Sequence, residues 1–126
     1  MTDPRVAVVG AGAWGTTLAI LLGKVEPVLL LAHDDEAAGR IDAARENERR
    51  LPGIALPPAV VVSADPAALA AAVDLVVVAV PSPHLRSTVE GIAAHVAPSS
   101  DVLTVVKGLE PGSLLRMSEV IVTAAG

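Results

Sequence analysis

The sequence predicts an α/β fold, in which a doubly wound and mostly parallel sheet with strand order 3-2-1-4-5 forms a single domain over residues 1–126. Short apolar runs alternate along the chain with segments of helical character, which is the pattern of βαβ units with right-handed crossovers. The apolar runs are continuous, as is typical of parallel strands that are buried on both faces. The core must be aliphatic, because 52% of the 126 residues are hydrophobic while Phe and Tyr are absent.

Five strands are predicted from the apolar runs, at residues 6–9, 28–31, 60–62, 75–80 and 102–106. Five helices are predicted at residues 13–22, 35–47, 66–72, 85–95 and 113–124. The first helix ends at Gly23, and the third has Asp65 as its N-cap and Pro66 in its first turn. Residues 49–58 contain three prolines, so this stretch is predicted to be an ordered loop rather than a helix or an inner strand.

Composition and charge exclude several classes of protein. The absence of cysteine excludes disulfides and thiolate metal sites. The net charge of −5 argues against a nucleic acid as partner. The longest apolar stretch, residues 67–80, contains Asp74 and is shorter than the roughly 20 residues that a membrane span needs. The N-terminus lacks the basic region of a secretion signal, so a cytoplasmic protein is expected.

The most informative motif is G-x-G-x-x-G, which follows the first predicted strand and opens the first predicted helix. Gly10 would form the tight turn off the strand, Gly12 would let backbone N–H groups approach a pyrophosphate, and Gly15 would let the helix pack closely on the sheet. Ala13 and Trp14 lie at the start of the helix, where free amides and the helix dipole favour an anion. This context favours a dinucleotide-binding, Rossmann-type domain over a purely structural glycine turn.

The predicted strand order places a ligand crevice between the first and fourth strands, outside their carboxyl ends. Pro81 follows the fourth strand and would form a stiff wall beside this crevice. His84 is a candidate base, although a polar residue in the first turn of the next helix is the favoured interpretation. Lys107 follows the fifth strand, where it would face an anionic substrate, unless it is an ordinary surface lysine.

Two residues after the second predicted strand leave the choice between NAD and NADP open. Asp34 lies at the distance from the glycine loop at which an acidic residue binds the adenosine ribose 2′-hydroxyl and favours NAD. His33 could instead lie against the 2′-phosphate of NADP. Asp34, together with Asp35 and Glu36, also fits a helix N-terminus at which acidic residues are favourable against the dipole.

The ten residues from Gly10, GAGAWGTTLA, resemble the opening of bacterial NAD(P)-dependent glycerol-3-phosphate dehydrogenase. Matching blocks continue in the same order and cover nearly the whole chain: REN at 45–47, LPGI at 51–54, VAVPS at 78–82, KGLE at 107–110 and MSEV at 117–120. The resemblance implies the reversible oxidation of sn-glycerol 3-phosphate to dihydroxyacetone phosphate, which feeds phospholipid synthesis. It also implies that Trp14 and its neighbours line the pyrophosphate, that His33 lies at the adenosine end, and that Lys107 contacts nicotinamide and substrate.

Two positions depart from the usual pattern of this family. Ala13 stands where Ser is usual, so one hydroxyl contact to phosphate is missing while the backbone N–H remains. Arg50 stands where Tyr is usual, so an aromatic surface near the adenosine is missing. Arg50 could place a cation beside a 2′-phosphate or could be solvated.

The resemblance further implies that the general base, a lysine, and the phosphate-binding residues belong to a helical substrate domain beyond this chain. No catalytic residue is therefore assigned here, and the chain by itself is expected to bind cofactor with little or no turnover. A homodimer is the candidate assembly of the full-length enzyme. Two other functions stay open: a non-catalytic NAD(P)-sensing module, and another two-domain dehydrogenase acting on a 3-hydroxy acid or sugar acid, against which the KGLE block argues.

Overall fold

The computed structural model describes residues 4–70 and 73–125, and a five-stranded parallel sheet lies at its centre. The strands are β1 (Val6–Val9), β2 (Val28–Leu31), β3 (Val60–Ser63), β4 (Leu75–Val78) and β5 (Asp101–Thr104). Their order is β3-β2-β1-β4-β5, so β1 pairs with β2 on one side and with β4 on the other. The predicted α/β class and strand order are confirmed.

Helices cover both faces of the sheet. They are α1 (Ala13–Gly23), α2 (Asp35–Ala44), α3 (Leu85–Ile92) and α4 (Met117–Ala125), with short 3-10 helices at Pro66–Ala70, Ser82–His84 and Ala93–His95. Alternate residues of a strand point to opposite faces, so each inner strand contributes to two cores. The first core lies under α3 and α4 and contains the strand residues Ala7, Val9, Leu29, Leu31, Val76 and Val78. The second lies under α1 and α2 and contains Val6, Val8, Val28, Leu30, Val60 and Val77.

The second helix is shorter than predicted, because Arg45 adopts a left-handed conformation with φ 54° and ends it. The guanidinium of Arg45 donates hydrogen bonds to the carbonyl oxygens of Pro57 and Val60, at 2.8 and 2.9 Å. These contacts favour a turn at this point over another helical turn. The segment that follows crosses back toward the sheet, and an isolated bridge joins Glu46 to Ala55. Residues 49–58 form turns between α2 and β3, as predicted.

Two strands end earlier than predicted. The fourth was predicted to reach residue 80 and the fifth residue 106, but β4 ends at Val78 and β5 at Thr104. In the registers of the ladders, Val78 lies opposite both Val9 and Thr104. The strands therefore end together at the level where β1 enters the glycine turn. The prediction of burial on both faces is wrong for the two edge strands, since Val61 of β3 is 42% exposed and Leu103 of β5 is 50% exposed.

The helices predicted at 66–72, 85–95 and 113–124 also differ in extent from those observed. The helix predicted at 66–72 is a 3-10 helix over Pro66–Ala70, while residues 71 and 72 lie outside the described residues. Its predicted N-cap is confirmed, since Asp65 Oδ1 accepts a hydrogen bond from the Ala67 N–H at 3.0 Å. The helix predicted at 85–95 ends as α3 at Ile92 and tightens into a 3-10 turn, a common form of helix end.

The last helix begins four residues later than predicted, at Met117. Leu114 adopts a left-handed conformation with φ 59°, which is incompatible with a right-handed helix, so the helix cannot begin at residue 113. The Leu114 N–H donates to the Glu110 carbonyl, and the Glu110 N–H donates to the Leu115 carbonyl, both at 2.8 Å. Residues 109–116 therefore form a closed turn. Among residues 4–70 and 73–125, no helix has the length and apolar character needed to cross a membrane.

Candidate functional site

Two glycines of the motif are required by the packing of the protein itself. Gly10 has φ +114°, and a Cβ there would lie 2.6 Å from the carbonyl oxygen of Ala79. A Cβ on Gly15 would overlap the carbonyl of Gly10, so the start of α1 can lie against the turn only without a side chain. These positions fit the tight turn and the close helix packing that the motif predicts.

Gly12 differs from the other two glycines. Its φ of −79° is open to any residue, and a Cβ there would meet no protein atom within 4 Å. Nothing in the fold of the described residues requires glycine at this position. The missing side chain leaves free space at the start of α1, where a ligand can approach the backbone.

The start of α1 has no side-chain cap. Gly12 is its N-cap residue, no acidic residue lies in its first turn, and its first intrahelical bond runs from Thr16 N–H to the Gly12 carbonyl at 3.0 Å. The N–H groups before Thr16 have no carbonyl partner one turn back in the helix. Free donors and the positive end of the helix dipole therefore lie together at the start of α1. By contrast, α2 caps itself, since Asp34 Oδ1 accepts from the Ala37 N–H at 2.8 Å. The first helix thus offers an anion site that the second lacks.

A cleft of about 300 Å³ lies against this helix start. Its lining residues come from three segments, which follow β1, β4 and β5: Gly12, Ala13, Trp14, Ala79, Val80, Pro81, Ser82, Val105, Val106 and Lys107. All three segments lie at the carboxyl ends of parallel strands, where the strand order reverses between β1 and β4. This is the place at which doubly wound sheets bind ligands.

The structure therefore brings together five of the residues predicted from the sequence: Gly12, Ala13, Trp14, Pro81 and Lys107. Trp14 is 55% exposed, so most of its indole is available to a ligand. Lys107 is also exposed and lies three residues beyond the end of β5. Gly10 and Gly15 shape the turn that carries the cleft residues, and they are not among the lining residues.

The remaining predicted residues lie outside this cleft. His33 and Asp34 follow β2, and their side chains pair with each other, with 3.0 Å between His33 Nε2 and Asp34 Oδ2. Arg50 is exposed in the turns after α2. His84 is exposed at the N-cap position of α3, in agreement with its interpretation as a polar residue near a helix start. The roles of His33, Asp34 and Arg50 stay predictions.

An ion pair that sequence reasoning did not identify supports the segment that carries Lys107. The Arg86 guanidinium on α3 donates two hydrogen bonds to the Glu110 carboxylate, at 2.8 and 2.9 Å. Ser113 Oγ donates a third, at 2.6 Å. The bonds from Arg86, and then that from Ser113, lower the pKa of Glu110 to about 2. Glu110 belongs to the KGLE block, but nothing in the sequence indicates that its partner is Arg86.

A second missed residue is Asn47, which is buried beneath the glycine loop. Its Nδ2 donates to the Ala11 carbonyl and to Thr16 Oγ1, both at 2.8 Å. The only sequence signal is its place in the REN block, and spacing alone does not relate residue 47 to residue 11.

The parallel sheet, the glycine turn on its first strand and the uncapped helix at the switch point together define a dinucleotide-binding domain of the Rossmann class. Comparison with known proteins then identifies the family. The sequence-family model for the N-terminus of NAD-dependent glycerol-3-phosphate dehydrogenase matches residues 5–126, and the chain belongs to this family.

Individual relatives agree with this assignment. The chain is 45% identical over 121 residues to glycerol-3-phosphate dehydrogenase [NAD(P)+] of Bradyrhizobium diazoefficiens, covering 95% of this chain and 36% of the relative. It is 41% identical over 117 residues to glycerol-3-phosphate dehydrogenase [NAD(P)+] 2 of Sphingopyxis alaskensis, covering 93% and 35%. The crystal structure of glycerol-3-phosphate dehydrogenase from Coxiella burnetii superposes with a TM-score of 0.88 at 29% identity, covering 96% of this chain and 37% of that one. The chain thus spans little more than a third of the length of these relatives.

Proposed function

We propose that this chain is the cofactor-binding part of an NAD(P)-dependent sn-glycerol-3-phosphate dehydrogenase, with NAD or NADP bound across the cleft. The observation that carries the proposal is the uncapped start of α1 beside Gly12, at the switch point of the sheet. The first-turn amides of α1 would hold the pyrophosphate, and the free space at Gly12 would let it approach the backbone. The relatives named as NAD(P)-dependent dehydrogenases support the same assignment.

The residues of the cleft fit such a cofactor in three further respects. The exposed indole of Trp14 offers an apolar surface next to the pyrophosphate position. Pro81 forms a rigid part of the opposite wall. The ammonium of Lys107 supplies a positive charge on the third side of the cleft, in a chain whose net charge is −5.

The adenosine end is proposed to lie toward His33, Asp34 and Arg50. Asp34 Oδ1 is engaged as the helix cap, while Oδ2 faces His33. A ribose 2′-hydroxyl could donate to this carboxylate, which favours NAD. A 2′-phosphate would instead need the guanidinium of Arg50 and a ring N–H of His33 as donors, an arrangement that would favour NADP. Both cofactors remain alternatives of the proposal.

The proposed reaction interconverts glycerol 3-phosphate and dihydroxyacetone phosphate. A bound nicotinamide would supply the acceptor or donor of the C2 hydride, and a base would be needed to take or return the proton of the C2 hydroxyl. Lys107 would attract the phosphate ester of the substrate and polarise the carbonyl oxygen in the reductive direction. The base and the remaining phosphate-binding groups are proposed to belong to a helical substrate domain outside this chain.

The proposed function extends to the pathway, location and assembly of the complete protein. Glycerol 3-phosphate is the backbone unit of phospholipids, so the proposed role is in phospholipid synthesis. The proposed location is the cytoplasm. The complete enzyme is proposed to be a homodimer.

The proposal is tested by titrating the chain with NADH and with NADPH while recording the fluorescence of Trp14, the only tryptophan. We expect saturable quenching by at least one of them, because the indole borders the cleft. AMP, which lacks the pyrophosphate and nicotinamide, is the matched control and should change the signal much less. The absence of saturation at about 1 mM of either dinucleotide, a binding free energy weaker than about 4 kcal/mol, would contradict the proposal.

A further inference from the structure

Asn47 is the buried polar side chain that joins the segment after α2 to the underside of the glycine loop. It is 1% exposed, and its Nδ2 lies 2.8 Å from both the Ala11 carbonyl oxygen and Thr16 Oγ1. A carbonyl oxygen can only accept, so the amide nitrogen, and not Oδ1, must face Ala11. Both donor hydrogens of the side chain are thereby used on the loop and on the first turn of α1.

The bond to Ala11 has a consequence for the neighbouring amide. A trans peptide is planar, and its C=O and N–H groups point in opposite directions. All described peptide bonds are trans. Because Asn47 holds the Ala11 carbonyl inward, the N–H of Gly12 in the same peptide plane points away from Asn47. Gly12 also lines the cleft in which the proposed anion would bind.

We propose that Asn47 is a positioning residue, which orients the Ala11–Gly12 peptide so that its N–H faces the cleft and its carbonyl does not. A carbonyl turned the other way would present its negative end to the pyrophosphate and would remove one donor. The proposal rests on the proposed function, in that the oriented amide serves the phosphate groups of the cofactor.

The placement of Asn47 is itself rigid, which the proposed role requires. Arg45, two residues earlier, is in the left-handed conformation and is tied by its guanidinium to the carbonyls of Pro57 and Val60. The Asn47 carbonyl accepts from the Leu51 N–H at 2.8 Å. The backbone of Asn47 is therefore fixed by contacts on both sides of the residue, and its side chain is fixed with it.

Thr16 allows the two hydrogen bonds of Asn47 to be separated. The fully buried Thr16 hydroxyl accepts one of them, and the Ala11 carbonyl accepts the other. Thr16→Val removes the first bond and keeps the second. Asn47→Asp has nearly the shape of Asn, but a carboxylate has no donor, so the bond to the Ala11 carbonyl is lost, while the Thr16 hydroxyl can reverse its role and donate to the carboxylate.

The test combines NADH affinity with the NMR signal of the Gly12 amide. We expect Asn47→Asp to weaken NADH binding at least tenfold and to move the Gly12 amide signal of the free chain. Thr16→Val is expected to lower the urea midpoint of unfolding but to change NADH affinity less than threefold. If Asn47→Asp binds NADH as tightly as wild type does, the proposal is overturned. It is also overturned if the loss of NADH affinity is proportional to the loss of stability in both variants, since Asn47 would then act on stability alone.

A measurement on the wild-type chain needs no variant and applies even if Asn47→Asp does not fold. We expect the Gly12 amide to shift strongly on addition of NADH, while the Asn47 side-chain protons stay protected from exchange. A Gly12 amide that does not respond to bound NADH would overturn the role of Asn47 while the proposed function stands. A wild-type chain that binds neither NADH nor NADPH would instead overturn the proposed function, and the role of Asn47 with it.

Discussion

At the scale of single residues, the three glycines of the loop differ in the space that surrounds them. Gly10 and Gly15 have no room for a Cβ, whereas Gly12 has only open space beside it. The packing of the protein therefore requires glycine at two of these positions and not at the third. Substitutions at Gly10 should act on stability, and substitutions at Gly12 should act on the ligand.

We expect Gly12→Val to retain the fold and to weaken NADH binding at least about tenfold, or about 1.4 kcal/mol. The reason is that the added side chain meets no protein atom but would fill the space proposed for the pyrophosphate. Affinity is measured by Trp14 quenching and stability by urea unfolding. Gly91→Ala, on an open part of α3, is the matched control and should leave the affinity unchanged. Wild-type affinity of Gly12→Val would refute the role of the loop.

Gly10→Ala should show the opposite behaviour and destabilise the chain by about 1–3 kcal/mol, since φ +114° is strained for any residue with a Cβ. Approach to the Ala79 carbonyl adds to this strain. The free energy of unfolding in urea is the measurement. If Gly10→Ala is as stable as wild type, the turn accommodates the added Cβ without a loss of folding free energy, and the expected strain is absent.

Lys107 and Lys24 are the two lysines of the chain, and they allow a paired test of charge. In the complete enzyme, Lys107→Ala is expected to lower kcat/KM for dihydroxyacetone phosphate by about a hundredfold, because the charge proposed to lie beside the reacting oxygen is lost. Lys24 lies at the other end of α1, so Lys24→Ala should leave kcat/KM unchanged. If both substitutions change kcat/KM to a similar extent, Lys107 has no special role and is an ordinary surface lysine.

At the scale of elements, the Arg86–Glu110 pair connects α3 to the turn that follows Lys107. The pair is bidentate and is extended by Ser113, so it fixes the turn at 109–116 against the helix. Strand β5 pairs with β4 alone, because it lies at the sheet edge, where Val102 and Leu103 are exposed. The position of Lys107 therefore depends on an ion pair as well as on the sheet.

This pair predicts a pH dependence of stability. The pKa of Glu110 falls from 4.5 to about 2 in the folded chain, so its contribution is present above pH 4.5 and is lost as the pH falls toward 2. We expect Glu110→Gln to reduce stability at pH 7 and to flatten the decline of the unfolding free energy in this acidic range. Glu48→Gln, at an exposed position, is the control and should retain the wild-type slope. An unchanged slope in Glu110→Gln would mean that the pair does not form in solution.

At the scale of the whole molecule, a ligand that binds only the folded chain must stabilise it. Addition of NADH at about 100 times its Kd should raise the free energy of unfolding by about 2.7 kcal/mol. Urea unfolding with and without NADH measures this shift, and Gly12→Val serves as the control that should show a much smaller one. No shift with the wild-type chain would contradict binding to the folded state.

Much of the architecture could be predicted from local patterns. The continuous apolar runs located all five strands, and the glycine motif located the turn off β1 and the start of α1. Strand order followed from the topology rules for βαβ units. Errors fell at the ends of elements, because an end depends on neighbours that are remote in sequence. Val78 ends β4 where β1 enters its turn, and Arg45 ends α2 with carbonyls 12 and 15 residues away.

The sequence by itself determined the parallel α/β fold, the tasks of Gly10 and Gly15, and the family to which the chain belongs. These features rest on local spacing, on backbone conformations open only to glycine, and on blocks of residues in order. Only the tertiary structure decided that Trp14, Pro81 and Lys107 line one cleft. It alone also paired Asn47 with Ala11 and Arg86 with Glu110, across 36 and 24 residues. Such contacts form between chain segments that the fold brings together, so no local pattern contains them.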